Sequence, residues 1–263
     1  MKDLPIIHPS WNAAAGIKAC TTTRLGGYSQ VPYDSLNLGL YVNDERAHVL
    51  KNREHVQACL QLPSTPRWLR QVHGCEVMKL ADPIDNLSEE READAAIATA
   101  PQQVIAILTA DCLPVVFASR ADADLANDDR VVAAAHAGWR GLAAGVLQQT
   151  VAALPVDPAS LCAWMGPAIG PHAFEVGEEV RQAFLDAAVP AALTETNDAF
   201  LPGVAANKWM ANLYALGSIA LRQAGITAIS GGDHCTFSDT TQFFSHRREG
   251  PHTGRMVTLA WIE

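Results

Sequence analysis

Residues 131–142 read VVAAAHAGWRGL, and this stretch decides the fold class. The run Val131–Ala135 is short and continuously apolar, as in a strand buried on both faces. His136 stands at its end, and Gly138 and Gly141 then break the pattern. Apolar residues at helical spacing follow, namely Leu142, Val146 and Ala153. The stretch therefore predicts a buried strand, a glycine turn and a helix, with an imidazole at the end of the strand.

Two upstream stretches repeat this arrangement. The apolar run Val104–Leu108 leads into Thr109–Cys112, and an apolar pattern resumes after Pro114. Earlier still, WLRQVHG at 68–74 predicts a strand that ends at His73. A rigid sheet can hold side chains accurately at the ends of its strands. We therefore single out His73, Cys112 and His136 as candidate site residues.

The rest of the chain alternates predicted helices and strands. Asp44 is predicted to cap a helix whose apolar face carries Val49, Val56 and Leu60. Two further helices are predicted, at about 177–188 and 207–224. Strands or strand edges are predicted in DHCTF (233–237), QFFSHRR (242–248) and RMVTLAWI (255–262). Loops are predicted at 22–40, 82–92 and 121–129, the last as a hairpin-like excursion. No linker divides the chain, so we expect one catalytic domain, 1–263, of the α+β class with mixed sheets packed against helices.

Composition excludes several classes of protein. The 263 residues carry a formal charge of −9, which argues against general nucleic-acid binding. The sequence contains no run of 18 apolar residues, so no membrane-spanning helix is predicted. The N-terminal segment lacks the apolar stretch of a secretory signal. The six cysteines form no CxxC pair, which is typical of reduced thiols. We expect a cytoplasmic protein that binds neither nucleic acid nor membrane.

His73, Cys112 and His136 together offer two imidazoles and one thiolate to a metal. Three protein ligands leave one tetrahedral position of zinc open, as catalytic zinc requires. The alternative is an inert core thiol and two hydrogen-bonded imidazoles, and the long gaps between the residues do not decide between them. The H-x-E and P-C-x-x-C motifs of zinc nucleobase deaminases are absent.

Arg140, in HAGWRGL, is a candidate for binding an anion. A glycine turn that opens a helix exposes main-chain N–H groups, and a guanidinium suits phosphate or carboxylate. A surface ion pair is the alternative. Arg24, in TTTRLGG, and Arg247, followed by Arg248 in FFSHRR, are further basic candidates. Asp111, beside Cys112, and Glu175, in AFEVGEEV, are candidate acid–base groups. The alternatives are that Asp111 orients a ligand and that Glu175 caps a helix.

Ten ordered motifs together resemble one bacterial family, which is YfiH-like and variously labelled laccase-like polyphenol oxidase, peptidoglycan editing factor and purine nucleoside phosphorylase. They span about Arg24 to Arg255: TTTRLGGYS, YDSLNLG, QVHG, ADAAIAT, TADCLPVVF, AAHAGWRG, GPAIGPHAFEVG, DHCT, FFSHRR and GRM. The resemblance implies an α+β fold similar to that of a bacterial toxin deamidase with a Cys-His site. It also implies that His73, Cys112 and His136 are zinc ligands, and Asn37 in YDSLNLG joins the candidate substrate-binding residues.

The same resemblance implies phosphorolysis of adenosine, inosine or methylthioadenosine and deamination of adenosine. The substrates would be a purine nucleoside and phosphate, and the protein a monomer or homodimer. Copper-dependent phenol oxidation is the alternative label, yet the nine histidines include no H-x-H pair from which to build a multicopper cluster. A Cys-His hydrolase that edits peptidoglycan precursors, with Cys112 as nucleophile, is a further alternative. One departure is Asn212, where the family usually has Asp.

Overall fold

The chain forms three β-sheets and seven α-helices within the residues that the computed structural model describes, which are 4–80, 91–124 and 130–263. The strands are β1 (Ile6–Ile7), β2 (Ile17–Thr22), β3 (Arg67–Trp68), β4 (Val77–Lys79), β5 (Ala95–Ala98), β6 (Ile105–Thr109), β7 (Leu113–Ser119), β8 (Val132–Ala137), β9 (Leu161–Met165), β10 (Glu175–Gly177), β11 (Phe200–Pro202), β12 (Lys208–Ala211), β13 (Ala228–Gly231) and β14 (Met256–Ile262). The helices are α1 (Arg46–Cys59), α2 (Trp139–Ala143), α3 (Val146–Ala153), α4 (Glu178–Ala187), α5 (Leu193–Asp198), α6 (Leu213–Gln223) and α7 (His246–Glu249).

A six-stranded mixed sheet, ordered β13-β9-β7-β8-β5-β4, lies at the centre of the fold. Strands β7 and β8 pair antiparallel, with Leu113 opposite Ala137 and Pro114 opposite His136. Strand β5 pairs antiparallel with the other edge of β8, with Ala95 opposite Ala135. This pairing brings the start of β7, the end of β8 and the start of β5 to one edge of the sheet.

Side chains alternate across the central sheet and separate two cores. In β7, Val115 and Phe117 pack in one core with residues of α3 and α6. Val116 and Ala118 point to the opposite face and pack in a second core with β6. The second core lies against a five-stranded sheet, ordered β1-β2-β14-β6-β3. Because both faces of β7 are covered, the whole strand is buried, and all of its residues before Ser119 are apolar.

Helix α1 covers the outer face of the five-stranded sheet. Val56 of α1 packs there with Ala106 of β6 and Leu259 of β14. The order of layers is thus helices, six-stranded sheet, five-stranded sheet and helix. A three-stranded sheet, β10-β12-β11, lies beside the helical layer. The α+β class with mixed sheets packed against helices, predicted from the sequence, is confirmed. Among the described helices, none combines the length and apolar character that crossing a bilayer requires.

Several predicted elements are confirmed with small changes at their ends. The runs at 104–108, 131–135 and 255–262 are β6, β8 and β14, and the helix predicted at 177–188 is α4. The helix predicted after Gly141 is divided into α2 and α3, because Gly145 has a φ of +90°. Segment 23–40 is an irregular loop, as expected. The loop predicted at 82–92 lies almost wholly outside the described residues, as does most of the one at 121–129.

Four local predictions were wrong. The strand ending at His73 stops at Trp68, and His73 has a positive φ of 60°. Asp44 does not cap α1, because its carboxylate accepts hydrogen bonds from Ser29 and Asn37 instead. The first part of the helix predicted at 207–224 is strand β12, and α6 begins only after Asn212. No strand forms in QFFSHRR, because its first four residues are irregular and its last three begin α7, and DHCTF contributes a single bridge, from Cys235 to Ala168.

Candidate metal centre and active site

His73, Cys112 and His136 meet at the edge of the central sheet. Cys112 lies in the short crossing from β6 to β7, His136 is the penultimate residue of β8, and His73 sits in the turn between β3 and β4. Their ligand atoms all lie within 4.8 Å of one another. The Cys112 Sγ is 3.9 Å from the His73 Nε2, and the two imidazole rings lie edge to face with centroids 4.8 Å apart. The sequence candidates thus form one compact cluster.

The surroundings of the cluster fit a single metal ion. A tetrahedral zinc with bonds of about 2.0–2.3 Å needs ligand atoms roughly 3.5 Å apart, close to the observed separation of Cys112 and His73. Gly138 packs directly against the cluster, and a Cβ atom there would lie 2.9 Å from the His73 ring and 3.1 Å from the Cys112 Sγ. The absence of a side chain at position 138 therefore leaves the donors room to converge.

Asp94 lies behind the cluster and is fully buried. Its Oδ1 is 2.8 Å from the Nδ1 of His136 and accepts the main-chain N–H of His73 at 3.0 Å. Its Oδ2 accepts the N–H groups of Val72 and Gly74, at 3.1 and 2.7 Å. The His136 Nδ1 is therefore engaged away from the cavity, and its Nε2 remains for a metal.

The charges of these groups depend on one another. Burial alone raises the pKa of the Cys112 thiol, but the charge of His136 and hydrogen bonds with both imidazoles outweigh it and lower that pKa to about 6. Burial lowers the pKa of His136, but the charge of Cys112 and the hydrogen bond with Asp94 raise it to about 9. In the absence of metal, Cys112 and His136 therefore form a thiolate–imidazolium pair at neutral pH.

The cluster opens into a cavity of about 470 Å³, large enough for a small organic molecule. One part of its wall is apolar and aromatic, and it includes Leu69, Leu108, Trp139, Ile169, Phe174 and Leu213. Another part is basic, and it includes Arg70, Arg140, His246, Arg247 and Arg255. Asp111 supplies the carboxylate among the described lining residues. The cavity thus combines a metal-binding floor, an apolar wall and a surplus of positive charge.

The arginines of the basic wall differ in how far they are engaged. Arg140 stacks on the Trp139 ring at 4.3 Å, and no carboxylate of the described residues pairs with it. Arg247 lies 5.2 Å from the Phe174 ring and donates to the main-chain oxygen of Glu175 at 2.7 Å. Arg255 donates to two nearby carbonyl oxygens, and burial lowers its pKa. Arg70 pairs with Glu92, whereas no described carboxylate pairs with the guanidinium of Arg140, Arg247 or Arg255, so these three can neutralise the charge of a ligand.

Asp111 supports the basic wall. Its carboxylate accepts hydrogen bonds from the hydroxyls of Thr236 and Ser245 and from the main-chain N–H of Arg247, at 2.6, 3.0 and 2.7 Å. No hydrogen bond of the described residues joins this carboxylate to His73 or His136, although Asp111 precedes Cys112 in sequence. Three donors therefore fix the orientation of this carboxylate.

Three further candidates are placed away from the cavity lining. Arg24 pairs with Glu249 at 2.9 Å and stacks on Phe244, so its charge is used within the fold. Asn37 is fully buried, and its Oδ1 accepts the N–H groups of Gly39 and Arg255. Glu175 faces the site through its main-chain oxygen, which holds Arg247. The structure therefore does not bring the side chains of these three residues to the cluster.

Three residues of the site, Asp94, Arg255 and His246, were missed in the sequence. Asp94 opens the apolar run ADAAIA, and an isolated carboxylate at the start of a buried strand is the signal that could have found it. Arg255 precedes the buried strand β14 and carried no comparable signal.

Asn212 caps α6 by accepting the N–H of Ala215 at 3.0 Å. Asn and Asp cap helices about equally well, so Asn fits this position as well as the Asp expected from the resemblance.

Comparison with known proteins identifies the family. The sequence model of the family described as multi-copper polyphenol oxidoreductase laccase matches residues 18–263. The chain belongs to this laccase-like family. It is 45% identical over 260 residues to the protein named purine nucleoside phosphorylase YfiH of Escherichia coli K12, covering 98% of each chain. A Pseudomonas aeruginosa protein, also named purine nucleoside phosphorylase, is 48% identical over 255 residues, covering 97% of each. The YfiH-like resemblance is thereby confirmed.

Solved structures agree with this assignment. A crystal structure of a Neisseria meningitidis protein superposes with a TM-score of 0.87 at 43% identity, covering 98% of this chain and 99% of that one. The structure of YlmD from Geobacillus stearothermophilus gives 0.84 at 27% identity, covering 98% and 100%. Within 4–80, 91–124 and 130–263, His73, Cys112 and His136 form the one group of three or more His, Cys, Asp or Glu suited to a metal. The described residues thus offer one metal position, whereas a multicopper relay needs several.

Proposed function

We propose that this protein is a zinc-dependent purine nucleoside phosphorylase that also deaminates adenosine. The observation that carries the proposal is the position of the His-Cys-His cluster on the floor of a cavity whose wall bears uncompensated arginines. Phosphorolysis needs a nucleoside and an anionic phosphate to bind side by side, and this cavity offers an apolar wall beside the arginines. The names of the relatives support the same reaction class.

His73, Cys112 and His136 are the residues that would hold zinc. When bound by three protein ligands, zinc supplies Lewis-acid chemistry at its open position and lowers the pKa of water to about 7. The softness of the Cys112 thiolate and the neutral imidazoles suit zinc, and one Cys with two His also suits copper. Zinc is preferred here because the proposed reactions transfer groups and need no change of oxidation state.

The basic wall is proposed to bind the phosphate. Arg140 is the strongest candidate, because its guanidinium lines the cavity and no described carboxylate pairs with it. Arg247 and Arg255 add charge from the side that Asp111 holds. In the reaction, a phosphate oxygen forms a bond to the ribose C1′ while the bond from C1′ to the purine nitrogen breaks. The electron pair leaves with the base, which takes up a proton.

The apolar wall is proposed to hold the purine. Trp139 and Phe174 offer aromatic surfaces beside the arginines, and a purine ring stacks favourably on such surfaces. Inosine, adenosine and methylthioadenosine are the proposed substrates. In deamination, water replaces the 6-amino group of adenosine and ammonia leaves. His246 is a further imidazole on the cavity wall and is better placed than the side chain of Glu175 to exchange a proton with substrate.

The test combines metal content with product release. Purified protein loaded with zinc is expected to bind about one ion and to release hypoxanthine from inosine only when phosphate is present. Cys112→Ala should lose both the ion and the release. Cys59→Ala is the matched control, because its thiol lies beside His55 on α1 and outside the cavity lining. Phosphate-dependent release by metal-free Cys112→Ala would contradict the proposal, and stoichiometric copper with phenol oxidation but no release would favour the laccase-like activity instead.

A second candidate, a Cys-His hydrolase of amide substrates, is favoured by one observation. Asp94, His136 and Cys112 form a chain in which the carboxylate holds the imidazole and the imidazole lowers the pKa of the thiol to about 6. This order of groups activates cysteine nucleophiles. An amide of a peptidoglycan precursor is the proposed substrate for that alternative. Zinc would inhibit this activity, because it would occupy the thiolate.

Thiol alkylation of metal-free protein at several pH values, combined with activity measured with and without zinc, separates the two candidates. We expect the alkylation rate of Cys112 to be nearly constant above pH 7 and to fall as the pH drops through about 6, because only the thiolate reacts. Cys20 and Cys162 are internal controls, since burial raises their pKa values to about 12 and about 11. A hydrolase is most active without metal and is abolished by alkylation, whereas a phosphorylase gains activity with zinc and is protected by it.

A further inference from the structure

We propose that Asp94 is the positioning residue of the metal centre: its one carboxylate fixes both imidazole ligands, and this coupling sets the affinity for zinc. The inference rests on the metal-binding part of the proposed function. It does not depend on which substrate the cavity accepts.

The first arm of the coupling runs through His136. The Asp94 Oδ1 lies 2.8 Å from the His136 Nδ1, and both side chains are almost completely buried. The main chain reinforces this contact, because the N–H of His136 donates to the main-chain oxygen of Asp94 at 2.7 Å, next to the paired strands β5 and β8. The imidazole cannot turn without losing its buried partner, so its Nε2 stays directed to the cluster.

The second arm runs through the main chain around His73. Three consecutive N–H groups, from Val72 to Gly74, converge on the Asp94 carboxylate. Consecutive N–H groups that point into one concavity form an anion-binding nest. Here the anion is the Asp94 side chain, and the nest holds His73 at a φ of +60°, which non-glycine residues seldom adopt. The His73 imidazole is exposed, so this turn fixes its position more than packing does.

The Oδ1 of Asp94 takes part in both contacts, the one with His136 and the one with the main chain at His73. A change at this atom therefore moves both ligands. An asparagine keeps the shape of the side chain but replaces one oxygen by an NH₂ group. The NH₂ group would face hydrogen-bond donors at either position. The Oδ2 position meets the N–H groups of Val72 and Gly74, and the Oδ1 position meets the His136 imidazole and the N–H of His73. Asp94→Asn therefore weakens the coupling with little change in volume.

The experiment measures metal binding rather than turnover. Zinc affinity is determined by competition with a chelator, and cobalt replaces zinc to report geometry through its absorption spectrum. We expect Asp94→Asn to bind zinc about 10- to 100-fold more weakly, as is usual when a carboxylate behind a histidine ligand is lost, and to show an altered cobalt spectrum. Asp239→Asn is the matched control, because Asp239 also accepts two main-chain N–H groups but lies outside the cavity lining. The control should bind zinc and cobalt as the wild type does.

Wild-type affinity and a wild-type cobalt spectrum in Asp94→Asn would overturn the inference. If that variant does not fold, NMR of the zinc-loaded wild type gives an independent answer. The inference requires zinc on the His136 Nε2 with a proton kept on Nδ1 beside Asp94, and zinc on Nδ1 would overturn it. Zinc binding that depends on Asp94 without any phosphorolysis would overturn the proposed reaction and leave this inference standing. A wild type that binds neither zinc nor cobalt would overturn both.

Discussion

The metal floor and the basic wall of the cavity are each supported by one buried aspartate. Asp94, behind the floor, contacts a ligand ring and three main-chain N–H groups around a second ligand. Asp111, behind the basic wall, contacts two hydroxyls and the N–H of Arg247. The two carboxylates are chemically alike and both are saturated with donors. The difference between them shows that the role of a carboxylate follows from the donors that the fold brings to it. Asp111 is next to Cys112 in sequence, yet it supports the basic wall and not the metal ligands.

The largest effect is expected within the metal floor itself. His136→Ala should lower the free energy of unfolding of the metal-free protein by about 3 kcal/mol, because it leaves the buried Asp94 without its cationic partner. His73→Ala should lower it by less than about 1 kcal/mol, because that imidazole is exposed and its turn is held through the main chain. Both variants should lose zinc. Urea denaturation of the two metal-free variants measures the difference, and equal losses of stability would mean that Asp94 supports the two ligands alike.

Asp111→Asn tests whether the two aspartates have separate roles. Asparagine tolerates the positive φ of 92° at this position, so the substitution changes mainly charge and hydrogen bonding. We expect a loss of about 1–2 kcal/mol in the free energy of unfolding and a higher KM for phosphate, because the N–H of Arg247 loses a charged acceptor. Zinc affinity should stay at the wild-type value. A fall in zinc affinity as large as that of Asp94→Asn would show that Asp111 supports the metal floor as well as the basic wall.

Arginines on and off the basic wall provide a third comparison. Arg140→Ala should raise the KM for phosphate about 10-fold, equivalent to one charge-assisted hydrogen bond, with stability changed by less than about 0.5 kcal/mol. Arg24→Ala should do the reverse, because its guanidinium pairs with Glu249 and stacks on Phe244 away from the cavity lining. Its KM for phosphate should not change, while the melting temperature falls. Steady-state kinetics with inosine and thermal denaturation check both, and an effect of Arg24→Ala on KM would place it in the phosphate site.

The smallest effect is expected at Asn212, which belongs neither to the metal floor nor to the basic wall. Asn212→Asp introduces the residue expected from the family resemblance and should change the free energy of unfolding by no more than about 0.5 kcal/mol, because both side chains cap helices well. Any stabilisation should disappear as the pH falls through the pKa of the new carboxylate, since only the ionised form interacts with the helix dipole. Thermal denaturation at pH 7 and pH 4 provides the measurement. A large change in turnover would instead connect this position with the adjacent Leu213 of the cavity wall.

The elements of this fold that could be predicted are those with short-range periodicity. Strands β6, β8 and β14 are mostly apolar because each is covered on both faces, and α4 has a regular amphipathic pattern. The strand expected before His73 could not be recognised as a turn, because its conformation depends on the distant Asp94. The sheet β10-β12-β11 was likewise missed, since Lys208–Ala211 looks helical when separated from the strands with which it pairs.

By itself, the sequence determined the kinds of chemistry that are possible: two imidazoles and a thiolate for a metal, arginines for an anion, and enough apolar runs for a covered mixed sheet. The tertiary structure decided which groups meet. It brought Asp94 rather than Asp111 to the metal ligands, directed Arg140, Arg247 and Arg255 to the cavity, and used the charge of Arg24 elsewhere. The physical reason is that ligand type and apolar periodicity are properties of neighbouring residues. The partner of a buried charge is set by strand pairing and loop closure between residues far apart in the chain.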